Sequence, residues 1–249
     1  MPENILITAS TSELAGSFVQ ETLVKNPSLN LMLVSRKKQQ EISHPSANIL
    51  QLDSVDLTDF KSQHILKEAS SNFFDGPIQT IHFAGAFWIH KPLVRTEFSE
   101  IKEMMDSHYL TLCNVAQCIT PLMIRLGGGK LVAFSCNSVG YNYPDMIAFT
   151  CAKAAVETFI KCYSNEYSPY NISAAAIALP TIRTNRVIEE KPNGDHDNYV
   201  TPEEVGKILA HQIAEMNQYV SGNVIKLFKH SASFYHEGYF TRNPRTLEI

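Results

Sequence analysis

The chain has 249 residues, of which 44% are hydrophobic and 18% charged, and its formal net charge is -4. This composition is typical of one α/β domain that buries a full hydrophobic core without needing disulfides or bound metal for stability. The slight acidic excess and the absence of a long basic run argue against nucleic acid or an acidic membrane as a partner.

The five cysteines lack CxxC spacing, so neither a disulfide framework nor a metal site is expected. No apolar run is long enough to cross a bilayer, and a cytoplasmic location without membrane contact is predicted.

Short apolar runs alternate with longer amphipathic segments, an order typical of a parallel sheet covered by helices. Seven strands are predicted, at Asn4–Ala9, Leu29–Val34, Asn48–Leu52, Thr80–Ala84, Lys130–Ser135, Ile172–Leu179 and Asn223–Leu227. Five helices are predicted, at Glu13–Lys25, Asp59–Ser70, Glu97–Leu126, Phe149–Tyr167 and Pro202–Met216. These elements predict one α/β domain over residues 1–249, a Rossmann-type doubly wound sheet in three α/β/α layers.

The segment Ser135 to Lys153 reads S-C-N-S-V-G-Y-N-Y-P-D-M-I-A-F-T-C-A-K. It resembles the active site of the short-chain dehydrogenase/reductase superfamily, in which a serine-containing turn precedes a Tyr-x-x-x-Lys pair on a helix. Counting back from Lys153 places Phe149 at the tyrosine position and Cys136 at the serine position. The same register places His108 at the family's asparagine. Because phenylalanine has no hydroxyl, the resemblance implies that the usual proton transfer to a carbonyl oxygen is absent.

Other landmarks of that family follow in order along the chain. Asp56-Leu57-Thr58 resembles the segment that touches the adenine, and His82-Phe83-Ala84-Gly85 resembles the Asn-Asn-Ala-Gly after the fourth strand. Pro180 to Thr184 resembles the segment after the sixth. The resemblance implies cofactor contacts at Asp56, Ala84, Gly85, Lys153 and Thr184. It also implies a lid over residues 181–199, and residues 228–249 read as a C-terminal extension rich in aromatics.

The phosphate loop departs most from the family, because its three glycine positions hold Ala9, Glu13 and Ala15. The Glu13 carboxylate is expected near the pyrophosphate position, where like charges repel. Alternatively, Ser10-x-x-Glu13 forms a capping box at the helix start. Both readings predict that NADP(H) is bound weakly or not at all.

One basic residue favours binding of NADP(H). Arg36 is placed to meet its 2′-phosphate, and the alternative is the solvated start of the next helix.

The remaining candidate residues each have two interpretations. Lys153 acts as a base or Schiff-base amine, or it bonds backbone carbonyls or Glu157 and holds the helix. Cys136 with His108 forms a nucleophile–base pair, or the cysteine fills the core.

Two tyrosines complete the candidates. Tyr141 or Tyr143 replaces the missing hydroxyl, or both pack a lid. An aromatic pocket is predicted from Phe87, Trp88, His90, Tyr141 and Tyr143, and it would suit an apolar or aromatic small molecule.

Three functions remain open from sequence. The protein handles a small-molecule ligand, as a non-redox enzyme of specialised metabolism or a binding pseudoenzyme. Alternatively, it is a divergent NADP-dependent oxidoreductase with a substitute proton donor. The third hypothesis is a non-catalytic partner of an active homologue. In each case a homo-oligomer, dimer or tetramer, is expected from the resemblance.

Overall fold

The computed structural model describes residues 3–83, 85, 87–141 and 143–228. Its seven strands are β1 Glu3–Thr8, β2 Leu29–Val34, β3 Asn48–Leu52, β4 Ile78–His82, β5 Gly129–Cys136, β6 Ile172–Leu179 and β7 Val224–Lys226. They form one parallel sheet in the order β3-β2-β1-β4-β5-β6-β7. The strand order therefore reverses between β1 and β4, where ligands bind in folds of this kind. The predicted Rossmann-type sheet is confirmed.

Eight α-helices lie in the described ranges: α1 Glu13–Lys25, α2 Ser62–Phe73, α3 Phe98–Met105, α4 Thr111–Arg125, α5 Ser138–Tyr141, α6 Ile147–Tyr167, α7 Asn185–Glu190 and α8 Pro202–Glu215. Two of them, α5 and α7, have no counterpart in the prediction. Arg36, predicted to stand at the start of a helix or at a phosphate clamp, begins an irregular stretch that reaches β3. The helical alternative at Arg36 is therefore wrong.

The predicted helix Glu97–Leu126 is interrupted. A π-helical turn at Asp106–Leu110 separates α3 from α4. In such a turn the backbone hydrogen bond spans five residues instead of the four of an α-helix, and these turns are frequent at functional sites. Its effect here is to aim His108 into the protein, where the side chain is almost fully buried.

The core lies on both faces of the sheet, because alternate residues of a strand point to opposite faces. Ile5 and Ile7 of β1 pack in the apolar layer that also contains residues of α1 and α8. Leu6, between them, packs in the opposite layer with residues of α4 and α6. With both faces covered, the carboxyl ends of the strands are left as the place for polar and ligand-binding groups.

Candidate functional site

A cleft of about 380 Å³ opens at the carboxyl ends of the strands. Residues from the start of α1, the segment after β4, the ends of β5 and β6, the first turns of α6 and half of α7 line it. Its walls are Ser12, Glu13, Leu14, Phe83, Gly85, Trp88, His90, Phe134, Ser135, Cys136, Ser138, Tyr143, Met146, Phe149, Lys153, Leu179, Pro180, Thr181, Ile182, Thr184, Arg186, Val187, Glu190 and Lys191. A largely apolar cleft with a few convergent polar groups is typical of a small-molecule site.

Lys153 and Phe149 stand one turn apart on α6, as their spacing predicts. The Lys153 ammonium donates a hydrogen bond to the Phe134 carbonyl oxygen at 2.8 Å and lies 5.9 Å from the centroid of the Phe149 ring. Burial lowers the pKa of Lys153 to about 8, against a smaller opposing effect of Cys136. The predicted bond to a backbone carbonyl is confirmed. The predicted bond to Glu157 is wrong, since that carboxylate instead accepts from the Ser135 hydroxyl at 2.6 Å.

His108 lies against the Phe149 ring in edge-to-face contact, with the ring centroids 5.3 Å apart. Its Nε2 lies 2.6 Å from the Phe87 carbonyl oxygen, so Nε2 carries the proton and Nδ1 is left as an acceptor. Nδ1 has no hydrogen-bond partner among the described residues. Burial, and to a lesser extent the charge of Lys153, lower the pKa of His108 to about 2. The imidazole is therefore neutral at physiological pH.

Gly85 makes this position of His108 feasible. Its φ is +95°, and a Cβ at Gly85 would stand 2.1 Å from His108 Nδ1. Any side chain there would expel the imidazole. Ala84, the other predicted cofactor contact in this turn, lies outside the described residues.

His82, at the end of β4, is a second buried neutral imidazole. Its Nδ1 lies 2.8 Å from the Thr8 hydroxyl and its Nε2 lies 3.2 Å from the Thr111 hydroxyl. Burial lowers the pKa of His82 to about 3, and the charge of Lys153 adds to this. His82 thus ties the ends of β1 and β4 to the start of α4.

Cys136 ends β5 and lines the cleft, and its sulfur accepts a weak bond from the Ser138 amide at 3.5 Å. The predicted nucleophile–base pair stays a prediction.

The two tyrosines are placed differently. Tyr143 is buried and lines the cleft, whereas Tyr141 lies on α5 beneath the Lys226 ammonium, 5.4 Å from its ring. Of the two, Tyr143 is the one that a ligand in the cleft can reach.

The start of α1 differs from the predicted capping box. Ser12 is the N-cap, and its hydroxyl accepts from the Ala15 amide at 3.2 Å. The Ser10 hydroxyl instead lies 2.6 Å from Gln39 Oε1 and 3.1 Å from the Val34 carbonyl oxygen. The capping-box prediction is wrong because the turn after β1 runs two residues further before the helix begins.

Glu13 reaches across the cleft to the beginning of α7. Both of its carboxylate oxygens accept from the Asn185 amide, at 3.0 and 3.3 Å. Thr184, a predicted cofactor contact, is the N-cap of α7, and its hydroxyl accepts from the Val187 amide. The carboxylate therefore lies where two helices begin, a place that favours negative charge.

The opposite end of the sheet holds the predicted adenine-side residues. Arg36 Nη1 lies 4.0 Å from Asp56 Oδ2 on the surface, and Asp56 Oδ1 accepts from the amide and hydroxyl of Thr58. Gln39 was missed by sequence reasoning. Its side-chain amide donates to the carbonyl oxygens that end β2 and β3, those of Leu33 and Leu52.

These residues fit a dinucleotide poorly at its pyrophosphate. A carboxylate stands in the first turn of α1, and the same cleft is lined by the stacked pair of Phe83 and Phe134, whose ring centroids are 4.4 Å apart. Neither group can donate a hydrogen bond to phosphate oxygens. Arg36 offers a phosphate partner at the adenine end.

α7 closes one side of the cleft through Trp88, the chain's single tryptophan. The Trp88 indole N–H donates to Glu190 Oε2 at 2.6 Å, and Arg186 Nε donates to Glu190 Oε1 at 2.6 Å. The Lys191 ammonium lies 4.6 Å from the indole centroid. Glu190 was missed from sequence, although its i,i+4 spacing from Arg186 was a signal for a helix here.

Within residues 3–83, 85, 87–141 and 143–228, no helix is both long and apolar enough to cross a membrane. Across those same ranges, no group of three or more His, Cys, Asp and Glu side chains could hold a metal ion.

Comparison with known proteins identifies relatives across most of the chain. Residues 3–194 match the family model described as short chain dehydrogenase. Dehydrogenase/reductase SDR family member 7B of Xenopus tropicalis is 23% identical over 190 residues, and the match covers 72% of this chain and 59% of that protein. The chain thus spans less than two thirds of that relative. The uncharacterized oxidoreductase YmfI of Bacillus subtilis is 22% identical, covering 91% of this chain and 98% of that one.

Solved structures share the fold at low identity. ElxO with NADP bound has a TM-score of 0.78 and 20% identity, covering 91% of this chain and 97% of that chain. A Tyr-to-Phe variant of ElxO with NADPH bound gives the same TM-score at 21% identity and the same coverage. L-sorbose reductase from Gluconobacter frateurii, complexed with NADPH and L-sorbose, has a TM-score of 0.76 at 16% identity, covering 91% of this chain and 95% of that chain.

Proposed function

Because the chain belongs to the short chain dehydrogenase family, we propose that it is an oxidoreductase-like protein that binds an apolar small molecule in the cleft at the carboxyl ends of the strands. It does so without a bound dinucleotide. The observation that carries this proposal is the Glu13 carboxylate bound to the Asn185 amide. A pyrophosphate at the start of α1 would meet that negative charge, and alanine or glutamate stands at the positions where the family has glycine.

The reaction centre supports a non-redox role. Where the family has a tyrosine hydroxyl, the ring of Phe149 lies near the Lys153 ammonium and in edge-to-face contact with His108. His108 is neutral with its N–H bound to Phe87, and the Lys153 ammonium is bound to Phe134. No group at the tyrosine position can therefore pass a proton to a carbonyl oxygen. The cleft remains open and apolar, which suits ligand binding.

Calorimetric titration with NADPH and NADP⁺ tests the proposal. The wild-type protein is expected to show no binding at millimolar cofactor. Glu13→Gln removes the charge with little change of shape, and it is expected to strengthen any NADPH binding by about tenfold, the effect of roughly 1.4 kcal/mol. Glu21→Gln, at the other end of α1, is the matched control and should leave binding unchanged. Micromolar binding of NADPH by the wild type would contradict the proposal.

A second function is favoured by Arg36 and Tyr143. Arg36 is exposed at the end of β2, as an NADP-binding residue would be, and Tyr143 brings a hydroxyl to the cleft. The NADPH-bound Tyr-to-Phe variant of ElxO indicates that, in that protein, phenylalanine is compatible with NADPH. Under this alternative the protein is a divergent NADP-dependent oxidoreductase with Tyr143 as proton donor. Micromolar NADPH binding, together with carbonyl reduction that is lost in Tyr143→Phe, would select it.

A further inference from the structure

Lys153 carries a charge into the cleft without an acidic partner. The side chain is 5% exposed, and its bond to the Phe134 carbonyl uses one of its three donors. Across the described residues, no ion pair includes Lys153. A buried ammonium without an anion is costly, because desolvation is not offset by attraction.

The carboxylates around the cleft are all bound to other groups. Glu13 accepts from the Asn185 amide, Glu190 from Trp88 and Arg186, and Glu157 from the Ser135 hydroxyl. The titratable groups that face Lys153 from other elements are Cys136 on β5, His82 on β4 and His108 in the π-helical turn. Both imidazoles are neutral, and Cys136 offsets only a smaller part of the effect of burial on the ammonium.

We propose that the Lys153 ammonium binds the carboxylate of an apolar monocarboxylic acid, whose body packs against Trp88, Met146 and Phe149 in the cleft. This inference rests on the proposed function, since a bound dinucleotide would compete for the same cleft. A buried ammonium in a largely apolar cleft matches the chemistry of such an acid, which has one charge at one end and an apolar remainder. A neutral analogue would leave the buried charge unpaired.

Trp88 reports binding in the cleft, because it is the single tryptophan and lines the wall. Cyclohexanebutyrate and its primary amide differ only in the head group and do not absorb where tryptophan does. Titration of each against Trp88 fluorescence at pH 7 is expected to give about tenfold tighter binding of the acid, the usual range for a hydrogen bond to a charged group. The ratio should fall to about one in Lys153→Met. Lys161→Met, which removes an exposed lysine from the same helix, should keep the wild-type ratio.

The pH dependence of the wild type gives a second measurement that needs no variant at Lys153. As pH rises from 7 to 9 through the pKa of Lys153, about 8, the ammonium is lost and the affinity for the acid should fall, while the affinity for the amide stays constant. Cys136→Ser removes the thiol as an alternative source of the change, and the affinity for the acid should still fall with rising pH, at a somewhat lower pH because Cys136 raises the pKa of Lys153.

Equal affinity for acid and amide in the wild type, or an unchanged ratio in Lys153→Met, would overturn the inference and leave the proposed function standing. Absence of binding of either compound to the wild type would also overturn the inference. The NADPH titration decides the proposed function separately.

Discussion

Ala9 and Ala15 stand at positions where the sequence resemblance predicts the glycines of the family's phosphate loop, yet their surroundings differ. Ala9 has a left-handed backbone with φ of +51°, which costs an L-residue roughly 1–2 kcal/mol. Ala15 lies in α1 and is completely buried in the core. The first position therefore still has the backbone of a glycine, whereas the second has become an ordinary helical core residue.

Restoring glycine should then have opposite effects at the two positions. Ala9→Gly is expected to raise the free energy of unfolding by up to about 1 kcal/mol, because the strain is relieved and only a partly buried methyl is lost. Ala15→Gly is expected to lower it by about 1–2 kcal/mol through weaker helix propensity and lost packing. Urea unfolding of both variants measures these changes. A loss of stability in Ala9→Gly would show that its backbone is not strained.

At the scale of elements, α7 is held to the rest of the protein by carboxylates. Glu13 binds its first turn, and Glu190 in its last turn binds Trp88. Six residues are too few for a helix to be stable in isolation, so these contacts and the Thr184 cap stabilise it. The position of α7 beside the cleft thus depends on a few polar contacts rather than on a buried apolar face.

Loss of the Trp88–Glu190 bond should make the cleft more open. Glu190→Ala is expected to shift Trp88 emission to longer wavelength and to speed release of a cleft ligand about fivefold, as expected for a partly exposed charged hydrogen bond worth about 1 kcal/mol. Stopped-flow fluorescence with cyclohexanebutyrate measures the release rate. Glu189→Ala, at the neighbouring exposed residue, is the control. Equal release rates in both variants would show that the bond does not hold α7 over the ligand.

At the scale of the whole molecule, two imidazoles are buried where they cannot become charged. Burial holds the pKa of His82 near 3 and that of His108 near 2, well below the value of about 6.5 in an unfolded chain. Between these values the unfolded chain binds more protons than the folded protein. Stability therefore rises with pH through this window and falls as the solution is acidified below about pH 6.5.

Each histidine should lower the free energy of unfolding by roughly 2 kcal/mol between pH 7 and pH 5. Urea unfolding at both pH values is expected to show this loss, and His108→Asn, which introduces the family residue, should reduce it by about that amount. His211→Asn removes an exposed histidine and should leave the loss unchanged. The same pH dependence in His108→Asn and in the wild type would mean that His108 is protonated in the folded protein.

Much of the fold and part of the site are local properties of the chain. Alternating apolar runs predict the seven strands, and the helical spacing of Phe149 and Lys153 predicts that they lie on one face of α6. Interruption of the helix at His108 could not be predicted, because a π-turn changes the hydrogen-bond ring and leaves the apolar pattern almost unchanged.

Only the tertiary structure determines which distant groups the site residues contact. The Glu13 carboxylate meets an amide 172 residues away, and His108 bonds a carbonyl 21 residues away whose turn requires Gly85. Lys153 is left without an acid by the packing of β5 and α6, although its own helix carries Glu157. Residue types and spacing show which groups the site contains. Whether a carboxylate replaces a phosphate, or an ammonium lacks an anion, depends on which distant segments the fold brings together.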